Sequence, residues 1–274
     1  MDLKNNINIL IDSKVTETEA NDICNRDFKY LLKDFKHIGT LTKIKGILIL
    51  YNKHATKIKN LKVIRDGQLL EFSFLVSNEW VNVVACYAPP EMDDPEFLLE
   101  AKSCLNNMPG DYGLICGDLN TTLDPKWDRY GYTQDSHRRS RAVINNWINT
   151  EELIDAVRFF HPIGPLYSWK TLKGDKKGRL DHLLVTPKLM EHISRVNYIY
   201  LGKNISDHSS LNFAIDIEKQ EKGKGIFRAN PSLLKHPNYI TLMHNVIYND
   251  ILEAIKDKTS PIYIAYRDTF LEQI

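Results

Sequence analysis

The stretch that decides the fold is Leu114-Ile115-Cys116-Gly117-Asp118-Leu119-Asn120, an apolar run that ends in a glycine and two polar side chains. Successive side chains of an extended segment alternate between faces, so Asp118 and Asn120 are expected to face one shared pocket. The carboxylate can hold or deprotonate a water molecule there, and the amide can donate to an anionic oxygen. An ordinary turn after a buried strand is the alternative, because Asp, Asn and Gly all favour turns.

The composition indicates a folded globular chain and excludes wholesale disorder. The 274 residues suffice for one large domain, and 43% hydrophobic with 26% charged residues allow a core. No apolar run approaches the roughly 18 residues that span a bilayer, so no membrane partner is expected. Four widely spaced cysteines lack the spacing of metal ligands and favour an intracellular, reducing setting. The net charge of +1 leaves nucleic-acid binding open, since a basic groove can exist within a neutral total.

Strand-like and helical patterns alternate irregularly over roughly 215 residues, which predicts a mixed α/β layered fold. Strands are predicted at 7–11, 46–51, 58–65, 69–76, 80–87, 183–185 and 210–217, with a hairpin turn at Asp66-Gly67. Helices are predicted at 22–35, 95–105, 141–148 and 151–159, and the polar stretch 124–140 is interpreted as a surface loop. A lysine- and glycine-rich linker at 219–225 precedes further helical patterns, so the predicted domains are 1–217 and a linker with a helical tail at 218–274.

Polar side chains recur where predicted strands pass into loops. Each of them alone has an ordinary interpretation, since an Asp-His pair in a loop is commonly solvated and a Tyr at a strand end commonly lies on the rim of a sheet. Together they are less easily explained by chance, and α/β folds usually build their sites at such positions. The residues are Asp12, Tyr87, Asp118, Asn120, Asp181, Asp207 and His208.

The chain resembles the endonuclease/exonuclease/phosphatase superfamily in three motifs: Gly117-Asp118-Leu119-Asn120, Arg179-Leu180-Asp181-His182 and Ser206-Asp207-His208. Within it, the chain is most similar to the endonuclease domain of LINE-type (non-LTR) retrotransposons, for example in Tyr167-Ser168-Trp169. The tail at 225–234 resembles the segment that precedes the reverse transcriptase in such elements. The resemblance implies a four-layered α/β sandwich of two packed mixed β-sheets flanked by helices.

The resemblance also implies a metal-dependent phosphodiesterase that nicks DNA. Asp12 and Asp207 would bind Mg²⁺, or alternatively Mn²⁺, and no small-molecule cofactor is expected. Asp118 would deprotonate the attacking water or protonate the leaving oxygen. His208 would orient or activate the water, with its imidazole held by an acid. The implied catalytic residues are Tyr87, Asp118, Asn120, Asp181, Asp207 and His208.

DNA is the partner that the resemblance implies, together with the reverse transcriptase of the element. Ser168 and Trp169 would lie near the DNA groove, and Arg138, Arg139 and Arg141 would follow the phosphates. A merely solvated basic face is the alternative for these arginines. In a eukaryote the expected location is the nucleus.

The chain departs from the family pattern in two places. The family opens with a further strand whose asparagine contributes to the metal site, whereas here Met1 is followed almost at once by the Asp12 strand, which predicts an N-terminally truncated domain. Pro90 replaces an asparagine and offers no side-chain donor to a phosphate. Three functions therefore stay open: a retroelement endonuclease, intact or as a truncated or decayed copy; an abasic-site repair endonuclease or another phosphoesterase; and a catalytically inactive DNA-binding remnant.

Overall fold

A computed structural model describes residues 7–14, 16–22, 35–40, 45–202, 206–217 and 241. The chain divides into two compact units, Met1–Glu218 and Lys219–Ile274, and the first contains nearly all of the described residues. The predicted linker and helical tail lie outside the described residues, as does most of the helix predicted at 22–35. No helix among the described residues is long and apolar enough to cross a membrane.

The described part of the chain contains fourteen strands and five helices. In chain order they are β1 (Ile7–Ile11), α1 (Glu17–Asp22), β2 (Phe35–Thr40), β3 (Ile47–Asn52), β4 (Ile58–Arg65), β5 (Leu69–Val76), β6 (Glu79–Tyr87), α2 (Pro95–Asn107), β7 (Gly113–Asp118), β8 (Arg129–Tyr130), α3 (Arg138–Asn149), β9 (Ile154–Asp155), α4 (Ala156–Phe160), β10 (Trp169–Lys170), β11 (Lys177–Gly178), β12 (Asp181–Val185), α5 (Pro187–Met190), β13 (Ile193–Tyr200) and β14 (Ser209–Ile215).

The largest sheet has six strands in the order β4-β5-β6-β7-β12-β9. All neighbours are antiparallel except β6 and β7, which are parallel. Along β6, Val81, Val83 and Ala85 pack into the core on one face, while Val84 and Cys86 pack into a second core on the other face. A strand that is buried on both faces needs apolar side chains at successive positions, which explains the largely apolar sequence of 80–87.

One face of the six-stranded sheet packs against two smaller antiparallel sheets, β1-β3-β2 and β13-β14. Ile47 and Ile49 of β3, Phe72 of β5 and Val196 of β13 are almost completely buried in the shared core. Within the described residues, β1 pairs with β3 only, and β14 pairs with β13 and additionally donates its Ser209 N–H to the Ser168 carbonyl oxygen. The apolar side chains of β1 and β14 are only partly buried. The packing of sheet face on sheet face forms the centre of the fold.

Helices cover both outer faces of the packed sheets. α2 begins at Pro95, whose fixed φ suits a first helical turn, and the Asp94 carboxylate caps it by accepting the Phe97 N–H at 3.1 Å. Together with α3 it covers the second face of the six-stranded sheet. On the opposite side, Ala20 of α1 packs against Leu48 of β3. The order helix, sheet, sheet, helix confirms the predicted α/β sandwich.

The structure corrects two of the predicted segments. The stretch 124–140 is not simply a surface loop, because Asp128 is completely buried and β8 pairs with β11, which in turn pairs with β10. Two-residue strands are too short to show an alternating pattern, so the sequence could not reveal them. The segment 151–159 forms β9 first and turns helical only at Ala156, because the Asp155 carboxylate caps α4 by accepting the Arg158 N–H.

We expect Gly117→Ala to destabilise the fold much more than Gly110→Ala. Both glycines have positive φ, +129° and +96°, so both substitutions strain the backbone. A Cβ on Gly117 would lie 2.1 Å from the carbonyl oxygen of Cys86, whereas Gly110 has nothing within 4 Å. Urea unfolding should show a loss of about 3 kcal/mol or more for Gly117→Ala and about 1–2 kcal/mol for the control. Equal losses of unfolding free energy in the two variants would mean that the close contact between Gly117 and the Cys86 carbonyl oxygen does not constrain β7.

Candidate active site

Three neighbouring strands of the six-stranded sheet place polar residues in one row. Tyr87 of β6 lies opposite Asp118 of β7, and Asp118 lies opposite Asp181 of β12. Residues that are opposite one another on adjacent strands project from the same face of a sheet. The register therefore brings together three of the residues that were predicted from separate motifs.

His208 completes this row from the second layer. Its Nδ1–H donates to the Asp181 Oδ2 at 2.8 Å, and its Nε2 lies 3.9 Å from the Asp118 Oδ2. Burial alone would lower the pKa of His208, but the hydrogen bond and the charge of Asp181 outweigh it and raise the pKa to about 9. At neutral pH the imidazole is therefore a cation that is held by one carboxylate and directed at another.

Among the described residues, no arginine or lysine forms an ion pair with the buried carboxyl group of Asp118. Burial, and then the neighbouring charge of Asp181, raise its pKa to about 7, although the charge of His208 and the Asn120 N–H oppose the shift. That N–H donates to the Asp118 Oδ1 at 2.9 Å. Asp118 can therefore accept or release a proton near neutral pH, which is what a general base or acid requires.

Asn120 does not lie in the strand, so the expected alternation of side chains along β7 does not explain its position. β7 ends at Asp118, and Asn120 adopts a left-handed backbone with φ +46°, a conformation that Asn tolerates better than most residues. Its Nδ2 donates to the carbonyl oxygen of Ala88 at 2.7 Å. The amide thus links the end of β7 to the segment that follows β6.

Tyr87 and Asp12 connect the row to the end of β1. Burial, and then the charge of Asp12, raise the pKa of Tyr87 to about 12. The Asp12 Oδ2 lies 2.9 Å from the Lys14 Nζ. The phenol therefore stays protonated at neutral pH, near the carboxylate at the edge of the site.

Asp12 is the predicted metal ligand that the geometry favours. Its Oδ1 is buried and accepts no hydrogen bond from any described residue. A buried carboxylate oxygen without a donor is suited to bind a cation. No group of three or more His, Cys, Asp or Glu side chains within the described ranges is arranged to hold a metal ion. Mg²⁺ commonly binds one or two carboxylates and completes its shell with water and substrate oxygens, so this donor set fits a hydrated Mg²⁺. The ammonium group of Lys14 opposes such an ion.

Asp207 and the predicted DNA-binding residues take up different positions. The Asp207 carboxylate accepts a hydrogen bond from the Trp169 indole at 2.9 Å, so it is Asp181 that orients the imidazole of His208. Ser168 is buried, and its hydroxyl oxygen accepts two backbone N–H groups. Its position is therefore in the interior and not on a DNA-facing surface.

The three arginines also differ from one another. Arg141 is largely buried, and its guanidinium binds the Asp135 carboxylate and the carbonyl oxygen of Thr122. Arg138 also pairs with Asp135 but remains mostly exposed. Arg139 is exposed, and its backbone N–H donates to Asp93. Exposure leaves Arg138 and Arg139 available to phosphates, whereas Arg141 fixes the loop before α3.

Sequence reasoning missed a buried polar network beneath the row. Arg179 donates to both carboxylate oxygens of Asp128, at 2.9 and 2.8 Å, and its Nη1 forms an ion pair with the Asp155 Oδ2 at 2.8 Å. Tyr198 donates from its hydroxyl to the carbonyl oxygen of Asp181. Arg179 stands in a motif that was recognised, but its partner Asp128 is 51 positions away in a stretch that looked like surface loop.

Comparison with known families gives one clear match. The model of the endonuclease/exonuclease/phosphatase family matches residues 18–208, which is more than half of the chain. No curated protein sequence matches the chain. The matched residues include all of the polar row at the sheet edge.

Solved structures with the same fold include several nucleases. The AP endonuclease LMAP from Leishmania major superposes with a TM-score of 0.60 at 15% identity, over 77% of this chain and 78% of that one. The 3′ phosphatase NExo from Neisseria, bound to a product DNA hairpin, gives 0.58 at 16% identity, over 78% and 90%. The endonuclease domain of TRAS1, a telomere-specific non-LTR retrotransposon, gives 0.53 at 15% identity, over 69% and 84%. At identities this low, the structural similarity establishes the fold alone.

We expect Asp118→Asn to stabilise the protein more at pH 8 than at pH 5. The folded-state pKa of about 7 lies above the ordinary value of 3.8, so folding takes up a proton between these values and stability falls as the pH rises through this window. The amide is neutral at both pH values, and the cost that it removes is larger at pH 8, above the window, than at pH 5, inside it. Since one pKa unit corresponds to about 1.4 kcal/mol, the gain at pH 8 should exceed ~1 kcal/mol in urea unfolding.

Glu79→Gln provides the control for this measurement, because Glu79 is exposed at the other end of β6. Its effect on unfolding should be the same at both pH values. An Asp118→Asn gain that does not depend on pH would contradict the raised pKa.

Proposed function

This chain belongs to the endonuclease/exonuclease/phosphatase family, and we propose that it is a Mg²⁺-dependent endonuclease that hydrolyses phosphodiester bonds in DNA. The observation that carries the proposal is the cluster of Asp118, Asp181 and His208, in which a carboxyl group with a pKa near 7 faces a histidine that another carboxylate holds. Such a pair can move a proton and stabilise an anion within a few ångströms of each other. Enzymes of the family generally depend on a divalent metal ion.

The proposed mechanism gives each residue of the row one task. Asp118, in its ionised form, accepts a proton from the attacking water as the new P–O bond forms, and the P–O bond to the leaving oxygen breaks, with a proton from solvent neutralising that oxygen. His208 donates from Nε2 to a phosphoryl oxygen, where its positive charge offsets the negative charge that grows in the transition state. Asp181 holds the imidazole at its other nitrogen, so that Nε2 points into the site. The second N–H of the Asn120 amide is the proposed further phosphate contact.

Asp12 is the proposed ligand of the metal ion, and Asp207, whose carboxylate accepts the Trp169 indole N–H, is the proposed second acidic ligand. A bound Mg²⁺ would neutralise charge on the phosphoryl oxygens and lower the pKa of a coordinated water. The charge of Asp12 contributes to the raised pKa of Tyr87, so the two side chains lie near each other. These assignments use hard oxygen donors only, which is the preference of Mg²⁺.

A surface beside His208 supports DNA as the substrate. The small sheet β8-β11-β10 adjoins the site, because Trp169 of β10 forms a β-bridge with His208. On this sheet the Lys177 Nζ lies 5.6 Å from the ring centroid of Tyr130 and 5.7 Å from that of Tyr167. Lysine charges beside aromatic rings suit a strand of nucleic acid, since the charges pair with phosphates and the rings can stack on bases.

We favour a retroelement endonuclease within this class. The segment at 225–234, which resembles the connection to a reverse transcriptase, supports this choice, and such an enzyme would act together with a reverse transcriptase. An abasic-site endonuclease is the second candidate, because AP endonucleases share the fold at comparable TM-scores. An inactive DNA-binding remnant is the third, and the observation in its favour is the Lys14 ammonium group beside Asp12.

We expect the purified chain to convert supercoiled plasmid to open circles when Mg²⁺ is present and not when EDTA is added. His208→Ala should lower the nicking rate at least ~100-fold, because it removes the donor and the positive charge at the phosphoryl group. His54→Ala is the matched control, since His54 lies exposed in the turn after β3, at the opposite end of that sheet from Asp12. Salt-dependent DNA binding without any Mg²⁺-dependent nicking would identify the inactive remnant.

We expect intact duplex DNA to be nicked at least as fast as a duplex that carries one abasic site. A retroelement enzyme must open undamaged DNA, whereas a repair enzyme discriminates by the missing base. Initial rates on matched oligonucleotide duplexes, with a phosphoinositide as a third substrate, provide the measurement. A preference of about 100-fold or more for the abasic duplex, equal to ~2.7 kcal/mol, would favour the repair function.

A further inference from the structure

The contact between Asp181 and His208 joins two separate layers of the sandwich. Asp181 is the first residue of β12 in the six-stranded sheet, and His208 immediately precedes β14 in the smaller β13-β14 sheet. A 2.8 Å hydrogen bond between side chains of two layers depends on how these layers are aligned. Other groups must therefore fix the two strand ends relative to each other.

Ser168 contacts both strand ends. It is 1% exposed, and its Oγ accepts the N–H groups of Leu180 and Asp181, both at 2.9 Å. Its carbonyl oxygen accepts the N–H of Ser209 at 2.6 Å, next to His208 in the chain. One buried residue therefore ties the backbone that carries the carboxylate to the backbone that carries the imidazole.

The chemistry of the hydroxyl explains why a serine suits this position. A hydroxyl oxygen has two acceptor lone pairs on a side chain of minimal length, so it can accept two successive N–H groups at a strand end. Replacement by alanine would leave both N–H groups without this acceptor and free the start of β12 to shift. The cavity that this replacement creates is small, because only one oxygen atom is removed.

Tyr198 holds the other side of the same peptide. It lies on β13, and its hydroxyl donates to the carbonyl oxygen of Asp181. The N–H of Asp181 is thus bound by Ser168 and its C=O by Tyr198. Both links come from outside the six-stranded sheet, and both act on the residue whose side chain orients the histidine.

We propose that Ser168 and Tyr198 are positioning residues that hold Asp181 and His208 in register for catalysis. This role rests on the proposed function of the Asp181–His208 pair. It differs from the DNA contact that the sequence resemblance implied for Ser168, because a buried oxygen that already accepts two backbone N–H groups is not directed at a ligand. The two roles predict different kinetic defects.

We expect Ser168→Ala to lower kcat for plasmid nicking about 10-fold or more with little change in KM, since misplacement by about 1 Å can cost 10²-fold in rate. Loss of a DNA contact would instead raise KM. Ser73→Ala is the matched control, because Ser73 is also completely buried in the six-stranded sheet and its hydroxyl also makes a hydrogen bond, to Asn82. The control should keep the wild-type kcat even if both variants lose similar stability.

Tyr198→Phe provides a second variant that keeps the size of the side chain. Its kcat should also fall, and adding Ser168→Ala or Tyr198→Phe to Asp181→Asn should cost much less than in the wild type, because both act through Asp181. Additive losses would overturn the proposal, and so would a folded Ser168→Ala protein with wild-type kcat.

A readout that does not depend on activity separates this proposal from the proposed function. The Nδ1 proton of His208, which is hydrogen-bonded to Asp181, should give a proton NMR resonance far downfield in the intact chain. The resonance should shift upfield or broaden in Ser168→Ala and Tyr198→Phe but stay unchanged in Ser73→Ala. If the wild type does not nick DNA, the proposed function fails while this result still decides whether the two residues hold the pair. An unchanged resonance in both variants would overturn the positioning role.

Discussion

The buried guanidinium of Arg179 is the group on which the site region depends. It is 1% exposed and lies between the carboxylates of Asp128 and Asp155, with Arg158 as a second cation on Asp128. Asp128 in turn accepts backbone N–H groups at Leu123 and Asp124, so the pair joins the loop after β7 to the start of β12. Removing one partner would leave an uncompensated buried charge, at a cost of about 3–5 kcal/mol. The loop that follows Asp118 and the strand that begins with Asp181 are therefore held as one unit.

The same region shows how pairing decides the state of a buried carboxyl group. Asp128 and Asp118 are both buried, and burial by itself raises the pKa of each. Hydrogen bonds and charge from Arg179 overcome that effect at Asp128 and lower its pKa to about 2. Asp118 has no arginine partner in the described part of the chain and faces Asp181, so its pKa rises to about 7. One aspartate is thereby a permanent charge that supports the fold, and the other can exchange a proton under working conditions.

Local sequence patterns predicted the layers of the fold and much of the polar row. They could not predict the features that depend on contacts between residues far apart in the chain. β5 and β6 are long apolar strands, and Tyr87, Asp118 and Asp181 stand at strand ends, where alternation and turn signals are informative. The burial of Asp128 could not be read from the sequence, because its partner is 51 positions away and the surrounding stretch is polar. Ser168 was assigned to DNA by resemblance, and only the folded backbone reveals which N–H groups its hydroxyl accepts.

The fold separates the chemistry of the site from the recognition of a substrate. In the proposed mechanism the polar row and its supports act on a phosphodiester group, which carries no base sequence. The exposed surface of β8, β10 and β11 rests on two-residue strands, with Leu172 and Tyr130 largely exposed. Its links to the row include the β-bridge of Trp169 to His208 and the backbone of Ser168. In the proposed enzyme, substitutions on that surface would therefore alter the binding of DNA without moving Asp181 or His208, provided that Ser168 stays in place.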